Sequence, residues 1–195
     1  MQFPSFLLLP ATFAVLSGLA SAFDTTPFIG PLDPWKVTRL QITAPATGPA
    51  SVDLAVENPN TVSAGPAPHA AGGGYLPFSP SAANCTAVDA DAALGDDACV
   101  ETTEFSYGVW SVDATGPIDP QNLDLSFTLN YNVSRWGSVL VKVYEATAHF
   151  AVGLNLADGV CDNVSGTCEF GLLPGSTPVL IPPTMTQCQG TCSLP

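Results

Sequence analysis

The sequence predicts an all-β fold, either a compact antiparallel β-barrel or a β-sandwich, stapled by disulfides. Three observations support this prediction: apolar and polar residues alternate with a period of two, helical periodicity is almost absent, and the cysteines fall into three local pairs. Short alternating runs separated by polar turns are typical of antiparallel sandwiches and barrels. We expect a single β domain at residues 23–173, preceded by residues 1–22 and followed by a tail at 174–195.

The first predicted strand covers residues 35–43. Its alternation changes phase between Val37 and Leu40, which indicates a β-bulge. Further alternation at residues 52–57 and 107–112 predicts two more strands, each with one apolar face.

The most regular alternation runs over residues 123–134 and predicts a long, half-buried strand. A run rich in β-branched residues follows at 138–144, and the intervening Arg135-Trp136-Gly137 favours a hairpin. A further strand is predicted at 149–156, with these side chains on one face: Phe150, Val152, Leu154 and Leu156.

Two segments depart from this alternation. Residues 59–84 are rich in proline, alanine and glycine, with Gly72-Gly73-Gly74 near their centre, and predict a long loop that is either functional or mobile. Residues 174–195 are rich in proline and predict an extended tail that a cysteine pair closes near its end.

Residues 1–22 have the pattern of a secretory signal peptide. An uncharged apolar stretch from Phe3 to Gly18 precedes Leu19-Ala20-Ser21-Ala22, whose small residues suit a signal peptidase. A retained signal anchor is the alternative, but Pro10 interrupts the run. We therefore expect cleavage before Phe23 and a secreted, extracellular protein with no membrane segment after removal of the signal.

In an exported chain, an even number of cysteines predicts disulfides. We expect three sequence-local pairs, which are Cys85 with Cys99, Cys161 with Cys168, and Cys188 with Cys192. Zinc is the rival interpretation, but the sequence has no Cys-x-x-Cys spacing and both histidines are remote from the cysteines. Three Asn-x-Ser/Thr triplets, at Asn84, Asn132 and Asn163, fit the same compartment as candidate N-glycosylation sites.

The chain carries 17 acidic residues against 4 lysines and arginines, a formal charge of −13. A nucleic-acid-binding protein needs clustered basic side chains, so we exclude that class, and the acidity also argues against an anionic membrane surface. A basic extracellular protein is the partner that this charge favours. Solubility is the simpler explanation of the same excess of acids.

The sequence offers little catalytic machinery. It contains no Gly-x-Ser-x-Gly motif, and neither His69 nor His149 has an evident catalytic context. Acidic residues inside the first cysteine pair suggest a solvated loop, although a glycosidase pair or a calcium loop beginning at Asp89 are alternatives. We expect a protein that is not an enzyme and that needs neither a cofactor nor a metal ion.

Aromatic residues are the remaining candidates for ligand recognition. Tyr75 and Trp136 lie beside predicted turns and are candidate contacts for a sugar or another flat ligand. Trp110 lies within a predicted strand, so we assign it to the core.

The arrangement resembles a known family of small secreted fungal proteins. The features that carry the likeness are the signal peptide, the opening Trp35-Lys36-Val37-Thr38-x-Leu40, the acidic loop from Cys85 to Cys99, the central long strands and the short loop from Cys161 to Cys168. Over about residues 35–172 the chain resembles the Alternaria major-allergen family.

The resemblance implies a compact β-barrel without enzymatic activity, in a family whose members act as allergens or as effectors recognised by plants, and bind host defence proteins or small phenolic ligands. The family dimerises through a cysteine near the mature N-terminus, whereas no cysteine precedes Cys85 here, so a covalent dimer is not expected. The insertion at 59–84 and the pair Cys188/Cys192 have no counterpart in the family.

These features favour a secreted, non-enzymatic fungal interaction protein, effector- or allergen-like, that binds a basic extracellular host protein or a small apolar ligand. The alternative is a structural protein associated with the fungal cell wall, with wall polysaccharide as its partner.

Overall fold

A computed structural model describes residues 31–66, 75–89, 99–104, 107–135, 138–190 and 192. These residues form two antiparallel sheets that face each other and a separate two-stranded sheet. The strands are β1 (Trp35–Ala44), β2 (Ser51–Asn58), β3 (Val62–Pro66), β4 (Tyr75–Phe78), β5 (Ser81–Val88), β6 (Cys99–Glu101), β7 (Gly108–Ala114), β8 (Leu123–Arg135), β9 (Ser138–Phe150), β10 (Val160–Cys161), β11 (Cys168–Gly171), β12 (Val179–Ile181) and β13 (Thr184–Gln189).

The larger sheet has the strand order β10-β11-β1-β2-β5-β6, and β12 also pairs with β1. The smaller sheet has the order β13-β9-β8-β7. In the described residues the two sheets stay separate, so the all-β prediction is confirmed and the architecture is a sandwich rather than a closed barrel. No helix in this part of the chain has the length and apolar character needed to cross a membrane.

The core lies between the two sheets, because apolar side chains alternate with polar ones along the strands and the apolar side chains of both sheets point toward each other. Each inner face consists of every second residue, as a pleated strand requires. The largest fully buried side chains include these aromatic and aliphatic residues: Trp35, Ile42, Leu54, Trp110, Leu123, Leu125, Phe127, Leu129, Tyr131, Tyr144 and Phe150.

The predicted bulge in the first strand is present. The register of β1 against β2 shifts between Val37 and Arg39, so that Val37 and Leu40 both point into the core although they are three residues apart.

The central hairpin is confirmed and is longer than predicted. β8 and β9 pair continuously from Leu123 opposite Phe150 to Arg135 opposite Ser138. Trp136 and Gly137, between the strands, lie outside the described residues.

The prediction for residues 149–156 was wrong beyond Phe150. A tight turn follows that residue, in which the amides of Leu154, Asn155 and Leu156 all donate to the carbonyl of Ala151. Gly153 has a φ of +83°, a conformation that suits glycine, and Leu154 is exposed.

The segment 59–84 is not one long loop. Residues 62–66 and 75–78 pair as β3 and β4, and β5 begins at Ser81. The buried Val62 and Phe78 face each other across this small sheet, which extends the β2–β5 hairpin. Residues 67–74, including the glycine triplet, lie outside the described residues, as does His69.

The segment 174–195 is also more than an extended tail. β12 pairs with β1 of the larger sheet, and β13 pairs with β9 of the smaller sheet. Residues 179–189 therefore belong to the sandwich.

All three expected cysteine pairs are bonded. Disulfides join Cys85 to Cys99, Cys161 to Cys168, and Cys188 to Cys192. The first two bridge adjacent strands at directly opposite positions, between β5 and β6 and between β10 and β11.

Candidate interaction surface

The outer face of the smaller sheet is polar and carries acidic residues. Asp113, Asp124 and Glu145 are exposed on it, on three adjacent strands. Its other described side chains are short or uncharged, apart from a histidine, and none is a lysine or arginine: Val109, Ser111, Ser126, Thr128, Asn130, Asn132, Val141, Val143, Thr147, His149, Thr184, Gln187 and Gln189.

One histidine and one carboxylate meet at the end of this face. Nδ1 of His149 lies 2.9 Å from Oδ1 of Asp124, directly across the β8–β9 pair. Both side chains are about half exposed, and the carbonyl of His149 accepts a hydrogen bond from Nδ2 of Asn155 at 2.9 Å. No described hydroxyl or thiol group is hydrogen-bonded to this imidazole, so a nucleophile for a Ser-His-Asp arrangement is not among these contacts.

The outer face of the larger sheet carries charges of both signs. Arg39 reaches across β2 and donates from Nη2 to Oδ1 of Asn84 at 3.3 Å. Ala55 lies between these residues in the register, and its small side chain leaves room for the contact. On the same face, Oγ1 of Thr86 donates to Oδ1 of Asp53 at 2.6 Å.

Several exposed carboxylates form no hydrogen bond or ion pair with another described residue: Glu104, Asp113, Glu145, Asp158 and Glu169. Glu57 also forms none, but it lies directly opposite Lys36 on β1. These carboxylates are spread over both outer faces and the connecting loops. Unpaired carboxylates therefore lie on both sides of the sandwich.

Lys142 does not offset this charge at the surface. It is fully buried on the inner face, directly opposite Tyr131 on β8. Loss of hydration on burial lowers the pKa of Lys142 to about 8.

Polar and aromatic side chains meet in the interior near Lys142. Nδ2 of Asn58 donates to the hydroxyl of Tyr131 at 3.1 Å, and the Tyr131 ring stacks on Phe78 with centroids 4.5 Å apart. Gly108 lies opposite Tyr131, and a Cβ there would come within 2.8 Å of the ring. Burial raises the pKa of Tyr131.

Tyr144 lies beside Tyr131, with ring centroids 6.2 Å apart. Its buried hydroxyl has no hydrogen-bond partner among the described residues. Burial, followed by the neighbouring Tyr131, raises the pKa of Tyr144 well above its usual value.

The predicted core position of Trp110 is confirmed. It is 1% exposed, its Nε1 donates to Oγ of Ser81 at 3.2 Å, and its ring meets Trp35 edge-on at 4.7 Å. The two candidate ligand contacts are Tyr75 and Trp136. The backbone of Tyr75 begins β4, but its side chain lies outside the described residues, and so does all of Trp136.

The three candidate glycosylation sites are exposed but differ in setting. Asn84 lies in the larger sheet, Asn132 in the smaller sheet and Asn163 in the turn between β10 and β11. That turn is organised by Asp162, whose carboxylate accepts from the amide of Val164 and from the amide and hydroxyl of Ser165. These hydrogen bonds, led by the Val164 amide, lower the pKa of Asp162.

The described residues contain no group of three or more histidine, cysteine, aspartate or glutamate side chains arranged to hold a metal ion. The candidate calcium loop lies mostly outside them, since residues 90–98 are not described. Asp89, the first residue of that loop, is described, and its carboxylate accepts a hydrogen bond from the amide of Ile118 at 2.9 Å.

Two features, one in the interior and one on the surface, were not predicted from the sequence. The burial of Lys142 had a signal, because it shares the phase of Leu140, Tyr144 and Ala146 in a β-strand. The Arg39–Asn84 contact had none, since it depends on the order of β1, β2 and β5 in the sheet.

No protein-family model matches the chain, and neither known proteins nor solved structures give a match. The surface and interior described above are therefore the observations on which a function can be based.

Proposed function

We propose that the protein is a secreted, non-enzymatic interaction protein, effector- or allergen-like and of fungal type, that binds basic extracellular proteins through its acidic surface. The observation that carries the proposal is the set of exposed carboxylates without a paired lysine or arginine. A field of one sign attracts partners of the opposite sign and speeds their encounter.

Secretion is supported by three features of the chain. Three disulfides form in oxidising compartments and are rare in reducing ones. The N-terminal segment has the pattern of a cleaved signal peptide, and the asparagines of the three sequons are exposed.

The binding proposal is tested by salt dependence. The association rate of the oxidised protein with a lysine- and arginine-rich extracellular protein is measured at about 30 mM and about 300 mM salt, across the range in which screening becomes strong. We expect the rate to fall at least about tenfold at the higher salt. A rate that does not change with salt contradicts the proposal.

Charge reversal on the smaller sheet locates the effect. The double substitution Asp113→Lys and Glu145→Lys should slow association with the basic partner at low salt. Thr147→Gln is the matched control, because Thr147 is exposed on the same face and the change is neutral. Equal rates for the charge-reversed and control variants would exclude this face as part of the binding surface.

The alternative function, association with wall polysaccharide, is distinguished by retention on insoluble chitin or glucan. Salt-insensitive retention that disappears with Tyr75→Ala or Trp136→Ala would replace the proposal by that alternative. Turnover of a glycoside at acidic pH that disappears with Asp124→Asn would instead show an enzyme.

A further inference from the structure

The sequon Asn84-Cys85-Thr86 lies in the middle of β5, which is next to the edge strand β6 of the larger sheet. Asn84 and Thr86 point outward, whereas Cys85 points inward, is 2% exposed and is bonded to Cys99. β5 pairs with β2 along the whole sequon and with β6 at Asn84 and Cys85, so the backbone of the acceptor residue Asn84 is held from both sides.

Both side chains that an oligosaccharyltransferase must engage already have partners in the folded sheet. Oδ1 of Asn84 accepts from Arg39 at 3.3 Å, and the hydroxyl of Thr86 donates to Asp53 at 2.6 Å. N-glycosylation requires the Asn and Ser/Thr of the triplet together. In the folded strand, Asn84 is therefore exposed to solvent, but the sequon is not free to bind the oligosaccharyltransferase.

The sequon at Asn163 has no such restraint from a neighbouring strand. Residues 163–165 form a turn, and the hydrogen bonds of Ser165 stay within it. Asn163 is exposed, and Val164 at the centre of the triplet is 96% exposed. This acceptor remains accessible after the sheets have formed.

We propose that glycosylation of Asn84 competes with formation of the Cys85–Cys99 disulfide, so that the protein is secreted in two forms, with and without an oligosaccharide at Asn84. In the reaction, Nδ2 of Asn84 attacks the anomeric carbon of a lipid-pyrophosphate-linked oligosaccharide. The lipid pyrophosphate leaves, the amide nitrogen loses one proton, and one C–N bond replaces one C–O bond. The inference rests on the proposed secretion.

The folded sheet accommodates the glycan once it is attached. Arg39 contacts Oδ1 of Asn84, which leaves Nδ2 to carry the sugar. Val100 lies directly opposite Asn84 on β6 and is 68% exposed, so an oligosaccharide at Asn84 covers it. The two forms then differ in whether the outer face of the larger sheet is available to a partner.

The test is site-resolved glycopeptide mass spectrometry of the protein made in a eukaryotic secretory host. Cys99→Ser removes the competing thiol and leaves the sequon intact, so we expect a several-fold rise in occupancy at Asn84. Cys188→Ser is the matched control, because it removes a different disulfide and should leave occupancy at Asn84 unchanged. Occupancy at Asn163 should stay the same in all variants.

A second measurement applies if the Cys99→Ser protein is retained in the cell. The unchanged sequence is translated into microsomes with and without dithiothreitol, and the reductant should raise occupancy at Asn84 but not at Asn163. Occupancy at Asn84 that is the same with and without the competing disulfide overturns the inference. If Asn163 is modified in that experiment, secretion stands and only the competition fails; if the chain does not enter microsomes, the proposed secretion fails with it.

Discussion

The side chain of Lys142 lies in the interior of the sandwich, where burial lowers its pKa to about 8 from an ordinary value of 10.5. Because the pKa is lower in the folded state, folding disfavours the charged form. The penalty is complete below pH 8 and disappears as the pH rises from about 8 to 10.5.

Lys142→Met removes this pH-dependent penalty, so the free energy of unfolding of the variant, relative to that of the unchanged protein, should be lower at pH 9 than at pH 7. The fall should be about 1 kcal/mol, because the folded lysine is mostly neutral at pH 9. Urea unfolding at both pH values measures this. Lys36→Met, at a half-buried site on the outer face, is the control, and a pH-independent difference for Lys142→Met would contradict the expectation.

Two neighbouring tyrosines should respond in opposite ways to the same substitution. Tyr131→Phe removes the acceptor of the Asn58 hydrogen bond and should cost about 1 kcal/mol of stability. Tyr144→Phe removes a buried hydroxyl without a described partner and should be neutral or stabilising by up to about 1 kcal/mol. Chemical denaturation of both variants measures these changes, and a larger loss of stability for Tyr144→Phe than for Tyr131→Phe would contradict the expectation.

At the level of single elements, the strands predicted from sequence are those whose alternation is long enough to be recognised. β8 alternates along its whole length, and the phase change in β1 revealed its bulge. β3 and β4 have 5 and 4 residues and each includes a proline, so no periodic signal separates them from a loop. Their pairing follows from their position at the end of the β2–β5 hairpin.

The turn after β9 was missed for a different reason. Residues 151–156 continue the apolar alternation of a strand, and only the single glycine at 153 marks the turn. For the candidate surface, the charge and the sequons could be predicted from the sequence. The side-chain contacts around them could not, because these depend on which strands are adjacent and on their register.

β13 should be needed for stability, because it covers the edge of β9 along residues 141–145. A chain ending at Pro183 should lose several kcal/mol relative to the full sequence, since it exposes that edge and part of the core. A chain ending at Gln189 with Cys188→Ala keeps the strand and should retain most of its stability. Thermal unfolding of the two truncations tests this, and similar losses would assign the stabilisation to the disulfide instead.

Each disulfide should contribute to the free energy of unfolding according to the length of the loop that it closes, with the longest loop contributing most. Cys85 and Cys99 are 14 residues apart, and Cys188 and Cys192 are 4 apart. The chain-entropy model gives about 3 kcal/mol for the first and about 2 kcal/mol for the second. Comparison of the two double Cys→Ser variants by urea unfolding should show the larger loss for the first pair.

For the molecule as a whole, the formal charge of −13 implies self-repulsion in the folded state. Added sodium chloride screens this repulsion, so the unfolding temperature should rise between about 10 mM and about 300 mM salt. The Asp113→Lys, Glu145→Lys variant carries less negative charge and should show a smaller rise. A midpoint that falls with salt would indicate that attractive charge pairs dominate.

The larger sheet also sets the order of events during synthesis. Its first strand, β1, pairs with β11 and β12, whose residues are made more than a hundred positions later. At about 5–20 residues per second, β1 waits on the order of ten seconds for these partners. The sheet is therefore completed late in translation, and the edge of β1 that receives β11 and β12 stays open until the ribosome has produced them.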